Sequence, residues 1–401
     1  PEDWTVKRGK FTLKLLNRPV KETDDVITCF RDGEVTLRTN RRTDGFTVSV
    51  KEIGYQGIEP GDLVIHGMDG FAGSIGISDS RGKSSPVLVV CDTDENKRYI
   101  MYYLRSMAYN DVFTALATGI RVRSCDLRWN KLAELPYILP SLEEQNQIVL
   151  AIESSTSKVD ALISNVQAQI EKLKAYKQSL ITEVVTKGLD PNVPMKDSGV
   201  EWIGEIPKCW NMVRGKALFE ECDARSDDGS EELLTVSQYT GVTPRSQKSV
   251  NMFESTTLEG YKICEVGDIA ANTMWLWAGA IGVSEYRGVI SPSYNVYRQK
   301  EIKYISSYLD CLLRIPLLVQ EYASRSTGIR ASRLRLYPKD FMDIMFPVPP
   351  IEEQKTIMDI LGKKIDMVNQ MISIKQSKIE KLELYKRSLI YEYVTGKKEV
   401  S

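Results

Sequence analysis

The sequence predicts an α+β fold built twice: two globular domains in tandem duplication, each followed by a long helix, with the two helices pairing as a coiled coil and the whole carrying pseudo-twofold potential. Three observations predict it. Sliding the chain against itself by 206 to 209 residues brings its halves into register, so that Pro1, Trp4, Arg8, Gly9 and Lys10 meet Pro207, Trp210, Arg214, Gly215 and Lys216. Gly61, Asp62, Met68, Gly73, Ile75 and Gly76 likewise meet Gly267, Asp268, Met274, Gly279, Ile281 and Gly282. A repeat of this length is a whole domain, too long for a solenoid unit. Within each copy, short β-branched stretches broken by glycines give way to a long apolar periodicity of three, four and seven.

The first copy opens with strand-like stretches such as Phe46 to Val50 and Val87 to Val90, whose β-branched and aromatic residues suit a half-buried pleat. Tyr99 to Ala117 reads as a helix; its counterpart, Tyr304 to Ala323, is helical but interrupted at Pro316, which cannot continue a helix interior. From Ser141 the residues Ile148, Ile152, Val159, Ile163, Val166, Ile170, Leu173, Leu180 and Val184 form a coiled-coil seam. Ile357, Leu361, Val368, Ile372, Ile379, Leu382, Leu389 and Tyr393 repeat it, with Lys375 in place of Val166. Each helix runs about 45 residues, roughly 65 Å at the standard rise, and one that long needs a partner. Pro140 and Pro349 mark the entries, Ser141 suits the N-cap, and Glu143, Glu144, Glu352 and Glu353 complement the first-turn dipoles. Gly188 and Gly396 mark the stops. The expected divisions are a domain over 1–140, a helix over 141–187, a linker over 188–206, a second domain over 207–348 and a second helix over 349–396.

Composition narrows the function. The 401 residues are 42% hydrophobic and 27% charged, with a net charge of −1. This is a globular chain that does not coat nucleic acid through bulk charge. The seven cysteines are scattered, form no CxxC pair and do not recur between copies; they fit a reducing compartment without a zinc site. With no apolar run near 18 residues and no signal-peptide pattern, the expected location is cytoplasmic. Val200 to Ile206 (VEWIGEI) has no counterpart ahead of Pro1, and the chain is expected to start slightly late.

Catalytic patterns are missing. His66 is the only histidine and has no counterpart in the other copy; it reads as a structural or contact residue, and histidine-based triads are not expected. Gly76 to Ser84 (GISDSRGKS) imitates a phosphate loop, but five residues separate Gly76 from Gly82, and the second copy reads Gly288-Val289-Ile290 without the lysine. Val348-Pro349-Pro350-Ile351 matches a methyltransferase tetrapeptide at neither end.

Local basic clusters, concealed by the neutral net charge, recur at equivalent places. Arg38, Arg41 and Arg42 lie in TLRTNRR, and Arg38 aligns with Arg245 in QYTGVTPR; these are phosphate or guanine candidates. Before the first helix come Arg121, Arg123, Arg128 and Lys131, and before the second Arg325, Arg330, Arg333, Arg335 and Lys339. A solvated charge run explains any single one of them equally well. Gln238 and Tyr239 add an amide and a phenol suited to base edges. FAGSIG and WAGAIG read as tight turns between strands, and Met274, Trp275 and Trp277 as core. Outward helix residues repeat as well, Tyr176 and Lys177 as Tyr385 and Lys386; a seam alone does not require this, and two equivalent docking sites for two copies of one partner would explain it.

LPSLEEQNQIV with VPPIEEQKTIM, IEKLKAYKQSLI with IEKLELYKRSLI, GVEWIGEIP between the modules, and GAIGVS followed by SPSYNV resemble the DNA specificity subunits of Type I restriction-modification systems across essentially the whole chain. The resemblance implies two target-recognition domains, each reading half of a bipartite site in double-stranded DNA, on conserved helices that pack antiparallel and set the spacer. It also implies two docked modification subunits, which bring S-adenosylmethionine, and restriction subunits that translocate and cleave with ATP. This chain would then hold no cofactor and no catalytic residue. The alternative is a coiled-coil scaffold that joins proteins without reading DNA.

Overall fold

The computed structural model describes residues 1, 3–41, 52–115, 127–248, 257–328 and 334–400. They form two compact units, Pro1–Ala168 with Lys375–Ser401, and Gln169–Ile374. Each unit therefore holds one globular domain, the first half of its own long helix and the last half of the other's.

The domains share one plan. The first has a four-stranded antiparallel sheet in the order Lys14–Leu15, Leu88–Asp92, Leu63–His66, Ile75–Ile77; the second has Phe219–Cys222, Asn295–Gln299, Ile269–Ala271, Ile281–Val283. The central strand alternates between two cores, as a pleat requires. Leu63 and Ile65 join the helix-facing core, while Val64 joins a smaller one with Ile27, Val35 and Ile58; Ile269 and Ala271 against Ala270 repeat the division. The Val87 to Val90 stretch falls in the strand Leu88–Asp92, whereas Phe46 to Val50 lies outside the described residues. The helix read from Tyr99 is Lys97–Tyr109, broken by Asn110 and by Asp111 at φ 56° before Val112–Ala115. Its counterpart splits into Ser306–Leu313 and Pro316–Arg325, at the proline that sequence reading singles out.

The long helices are Leu142–Lys187 and Ile351–Val394. Ser141 Oγ accepts the Glu144 amide at 3.2 Å, and Gly188 and Gly396, at φ 79° and 67°, end them in the left-handed conformation. In the first unit Ile148, Ile152 and Val159 share a core with Leu389, Tyr393 and Val394. In the second, Leu180, Val184 and Val185 share one with Ile357 and Leu361. The start of one helix thus meets the end of the other, which makes the pairing antiparallel.

Each domain grips both. Gln145, fully buried, accepts the Asn96 amide at 2.9 Å and donates to the Pro140 carbonyl at 3.0 Å and to Glu95 at 2.7 Å. Gln354, equally buried, accepts the Ile305 amide at 3.0 Å and donates to the carbonyls of Lys303 and Pro349. The preceding carboxylates receive indole protons, Glu144 from Trp4 at 3.1 Å and Glu353 from Trp210 at 2.9 Å. For the other helix's last turn the grip is a tyrosine. Tyr308 donates to the Val185 carbonyl at 2.7 Å, and the Tyr99 hydroxyl lies 3.2 Å from Val394 O and 2.8 Å from Ile138 O. Such C-terminal carbonyls have no partner within their own helix.

The segment read as a linker is more ordered than that word suggests. Met195–Asp197 pairs with Glu205–Pro207, and Ile203 and Ile206 are buried in the core that encloses Trp210. Trp210 is fully buried, whereas its counterpart Trp4 is only partly so.

Removing the Tyr308 hydroxyl leaves a buried carbonyl without its donor, so Tyr308→Phe is expected to cost about 1–3 kcal/mol in urea unfolding. Tyr99→Phe should cost less at the helix end, because its single proton lies nearer Ile138. A second expectation concerns acid. Arg81 hydrogen-bonds the Asp24 carboxylate at 2.9 and 2.8 Å and the Lys21 amide adds a third bond at 2.8 Å, holding its pKa down from 3.8 to about 2. A carboxylate depressed in the fold stabilises it above the unfolded pKa and loses that effect as pH falls toward the folded one. The gap in urea midpoint between the wild type and Asp24→Asn is therefore expected to be constant at neutral pH and to close between about pH 4 and about pH 2.

Candidate nucleic-acid interface and helix faces

In each unit a short hairpin leads into a 3-10 turn. Ile27–Cys29 and Val35–Leu37 precede Arg38–Asn40; Leu234–Ser237 and Gly241–Pro244 precede Arg245–Gln247. Arg38 and Arg245 both open the turn, so their alignment in sequence is also an equivalence in structure. Their amides bond back to Val26 and Leu233 at 2.8 Å, and Arg38 Nε donates to Thr28 Oγ1 at 3.3 Å.

Arg41 stands differently from a free phosphate ligand. Its guanidinium lies 2.7 Å from Asp32 and 2.9 Å from Glu34 and covers the Phe30 ring at 4.2 Å; the Asp32 hydrogen bond and both acids raise its pKa further. Arg42, Arg121, Arg123, Arg330 and Arg333 lie outside the described residues. Of the remaining basic residues, Arg325 donates to Glu321 at 2.6 Å, and Arg335 exchanges main-chain bonds with Thr327.

Gln238 and Tyr239 sit at the tip of the second unit's hairpin. Arg314 Nη2 donates to the Tyr239 carbonyl at 2.6 Å, while Asp310 accepts from Arg314 at 3.3 Å and from the Val283 amide at 3.0 Å. The main chain is thus fixed, and the Tyr239 side chain is 81% exposed.

The expectation that Met274, Trp275 and Trp277 fill the core is overturned for Met274 and Trp275, while Trp277 is half-buried. Trp275 is 52% and Met274 39% exposed, and Trp275 stacks on Trp277 with centroids 5.8 Å apart; the buried residue of the loop is Leu276. The physical reason is the turn that the glycines permit. Gly279 at φ 86°, like Gly73 at φ 92°, closes a 3-10 loop between two sheet strands, and this turns Leu276 inward and Trp275 outward, with the stacked Trp277 half-buried. A Cβ on Gly279 would lie 3.0 Å from Val319. The turn reading of FAGSIG and WAGAIG agrees with this.

His66 is the equivalent of Asn272, and both anchor the loop. His66 Nδ1 accepts the amides of Met68 and Asp69 at 3.2 and 3.0 Å, and Asn272 Oδ1 accepts that of Met274 at 3.2 Å. An acceptor Nδ1 requires the neutral ring, and burial lowers the His66 pKa. Gly82–Ser84 is a strand paired with Gln56–Ile58, so no helix follows it to make a phosphate loop. Among the described residues no His, Cys, Asp or Glu cluster could hold a metal, no helix is long and apolar enough to cross a membrane, and six cysteines are free.

On the helices, Lys177 donates to Asn369 at 3.0 Å, and Lys386 to Asp160 at 2.7 and 2.8 Å. Asp160 and Asn369 occupy matching repeat positions, as do the two lysines. The recurrence of Lys177 and Lys386 therefore has an explanation inside the helix pair, while Tyr176 and Tyr385 remain 55% and 54% exposed. Sequence reading passed over the roles of Glu144, Gln145, Glu353 and Gln354 as grips. The available signal was a glutamine kept at a position that the dipole does not need.

The fold and these surfaces define a class, a duplicated α+β chain whose two domains each hold one start and one end of an antiparallel helix pair. No family model matches the chain. In sequence it is 24% identical over 414 residues to the type I restriction enzyme MjaVIII specificity subunit of Methanocaldococcus jannaschii, covering 99% of this chain and 93% of that protein. It is 25% identical over 316 residues to the putative type I restriction enzyme MjaX specificity subunit of the same organism, covering 75% and 67%. In structure it matches a chain solved in work on complex assembly and conformational transition of the type I R-M system, with a TM-score of 0.66 and 15% identity over 98% of both chains. By sequence along nearly its whole length, and in agreement with its fold, the chain is similar to type I restriction enzyme specificity subunits.

The two lysine contacts differ in charge, and salt should separate them. Lys177→Met and Lys386→Met are each expected to cost about 0.5 kcal/mol. At about 1 M salt the Lys386→Met penalty should shrink, because its partner is a carboxylate, while that of Lys177→Met persists.

Proposed function

We propose that this chain is the sequence-specific DNA-binding specificity subunit of a type I restriction-modification complex. Each domain reads one half of a bipartite site in double-stranded DNA, and the helix pair sets the spacing. The observation that carries the reading is the similarity to a type I specificity subunit over 99% of the chain. The internal comparison supports it: the grips on the helices are equivalent in both units, while the exposed hairpin tips and loops have diverged, as two readers of different half-sites require. Arg38 and Arg245, opening equivalent turns, are assigned to DNA together with Gln238 and Tyr239, and the arginines at 42, 121, 123, 330 and 333 complete the set. Two modification subunits dock on the helices, with Tyr176 and Tyr385 as equivalent contacts. Methyl transfer, and cleavage where restriction subunits join, belong to those partners; this chain supplies the address and works in the cytoplasm.

The test is to co-express the chain with its host's modification subunit and map methylated adenines on genomic DNA by long-read sequencing. The expected result is a split motif, two short half-sites around a fixed spacer. A stable complex with no motif would overturn the DNA reading in favour of an assembly scaffold. Native mass spectrometry of the same complex should find two modification subunits, and fewer after Tyr176→Ala or Tyr385→Ala.

A further inference from the structure

At one exposed loop the two units, alike in their strands, differ in chemistry. In the first, Arg31 on the hairpin tip lies 3.1 Å from Asp69, on the loop that joins Leu63–His66 to Ile75–Ile77. The strand registers Leu63↔Ile77 and Ile269↔Val283 make Trp275 the counterpart of Asp69, and Trp277 that of Phe71. The hairpin registers likewise set Gln238 and Tyr239 in place of Arg31 and Asp32. An ion pair in one unit is replaced in the other by a stacked pair of indoles and, at the equivalent hairpin tip, an exposed phenol.

The indoles are held firmly. The Trp275 carbonyl accepts the amides of Ala278 and Ala280 at 3.0 and 3.1 Å, Trp277 Nε1 donates to the Met274 carbonyl at 3.0 Å, and Leu276 between them is fully buried. With the Trp277 N–H satisfied within its own loop, what its half-buried indole leaves outward is ring surface. Exposed aromatic area is unfavourable in water, and a rigid loop has little freedom left to lose on binding. The surface they meet must be flat or methyl-bearing and must tolerate the amide of Gln238 and the hydroxyls of Tyr239 and Thr240 at its edge. DNA bases meet both conditions, through the thymine methyl in the major groove and through base faces at an opened step.

Resting on the DNA reading above, we propose that Trp275 and Trp277, with Tyr239, form an apolar base-contacting platform that belongs to the second domain alone and contributes to its half of the target. The contact is with bases and neutralises no phosphate.

Random-sequence duplexes selected by the full chain, alone and with a co-expressed modification subunit, test this against Trp275→Ala and Trp277→Ala. Trp275→Asp, which copies the first unit's residue, is a further variant, and thermal midpoints check that each folds. One half of the selected motif should lose its base preferences and the other half keep them. Affinity for the wild-type site should fall about tenfold. The slope of log affinity against log salt should stay unchanged, since counterion release follows phosphate contacts. Unchanged preferences and affinity in the folded variants would overturn the platform, as would a loss shared by both halves with a shallower salt slope. If the unsubstituted chain selects no motif in either form, the DNA reading itself fails, and the platform with it.

Discussion

The structure depends on how each domain holds helix ends that cannot satisfy themselves. The first turn of one long helix is gripped through a buried glutamine, Gln145 or Gln354, which bonds main-chain groups of the domain and of the proline entry at once. The last turn of the other is reached by a tyrosine hydroxyl, at 2.7 Å from Val185 O in the second unit and 3.2 Å from Val394 O in the first. A start and an end held by one domain can only belong to helices that run in opposite directions. The apolar seams then need only be long and periodic; the polar grips choose the polarity of their pairing.

The pairing is further constrained by Lys177 with Asn369 and Lys386 with Asp160. These contacts are half-exposed and individually weak, so their value lies in register. The result in each unit is a domain attached to a defined stretch of both helices. That is the property the proposed spacer needs, because a domain free to slide along its support could not keep a fixed distance to the other.

Against this shared frame, exposed residues have been free to change. Asp62 and Asp268 illustrate how the frame tolerates it. Both are buried at the same turn, yet one is neutralised by Arg18, ahead of the hairpin, and the other by Arg298, on a sheet strand, at 2.7 Å through two nitrogens. The carboxylate is retained because it caps the turn, accepting the amide of Glu59 or Glu265, and any arginine within reach can supply the charge. The loops at Asp69 and Trp275 go further and exchange a salt bridge for an aromatic stack on identical strand pairing.

By itself the sequence determined the duplication, the α+β class, the long helices with their entries at proline and stops at glycine, and the break at Pro316. Each of these follows from local chemistry or from periodicity, which is written in consecutive residues. The equivalence of Arg38 and Arg245 was legible too, because the hairpins ahead of them, Ile27 to Leu37 and Leu234 to Pro244, span equal stretches of chain. Only the tertiary structure decided that Gln145 and Gln354 are grips, that Lys177 and Lys386 bond across the helix pair, that Arg41 is occupied by Asp32 and Glu34, and that Trp275 faces outward while Leu276 plugs the core. Their partners lie from five residues to 226 away, or, for Trp275, the direction depends on one positive φ at Gly279. Residue type and spacing carry a side chain's chemistry, but what it touches is set by how the chain folds back on itself.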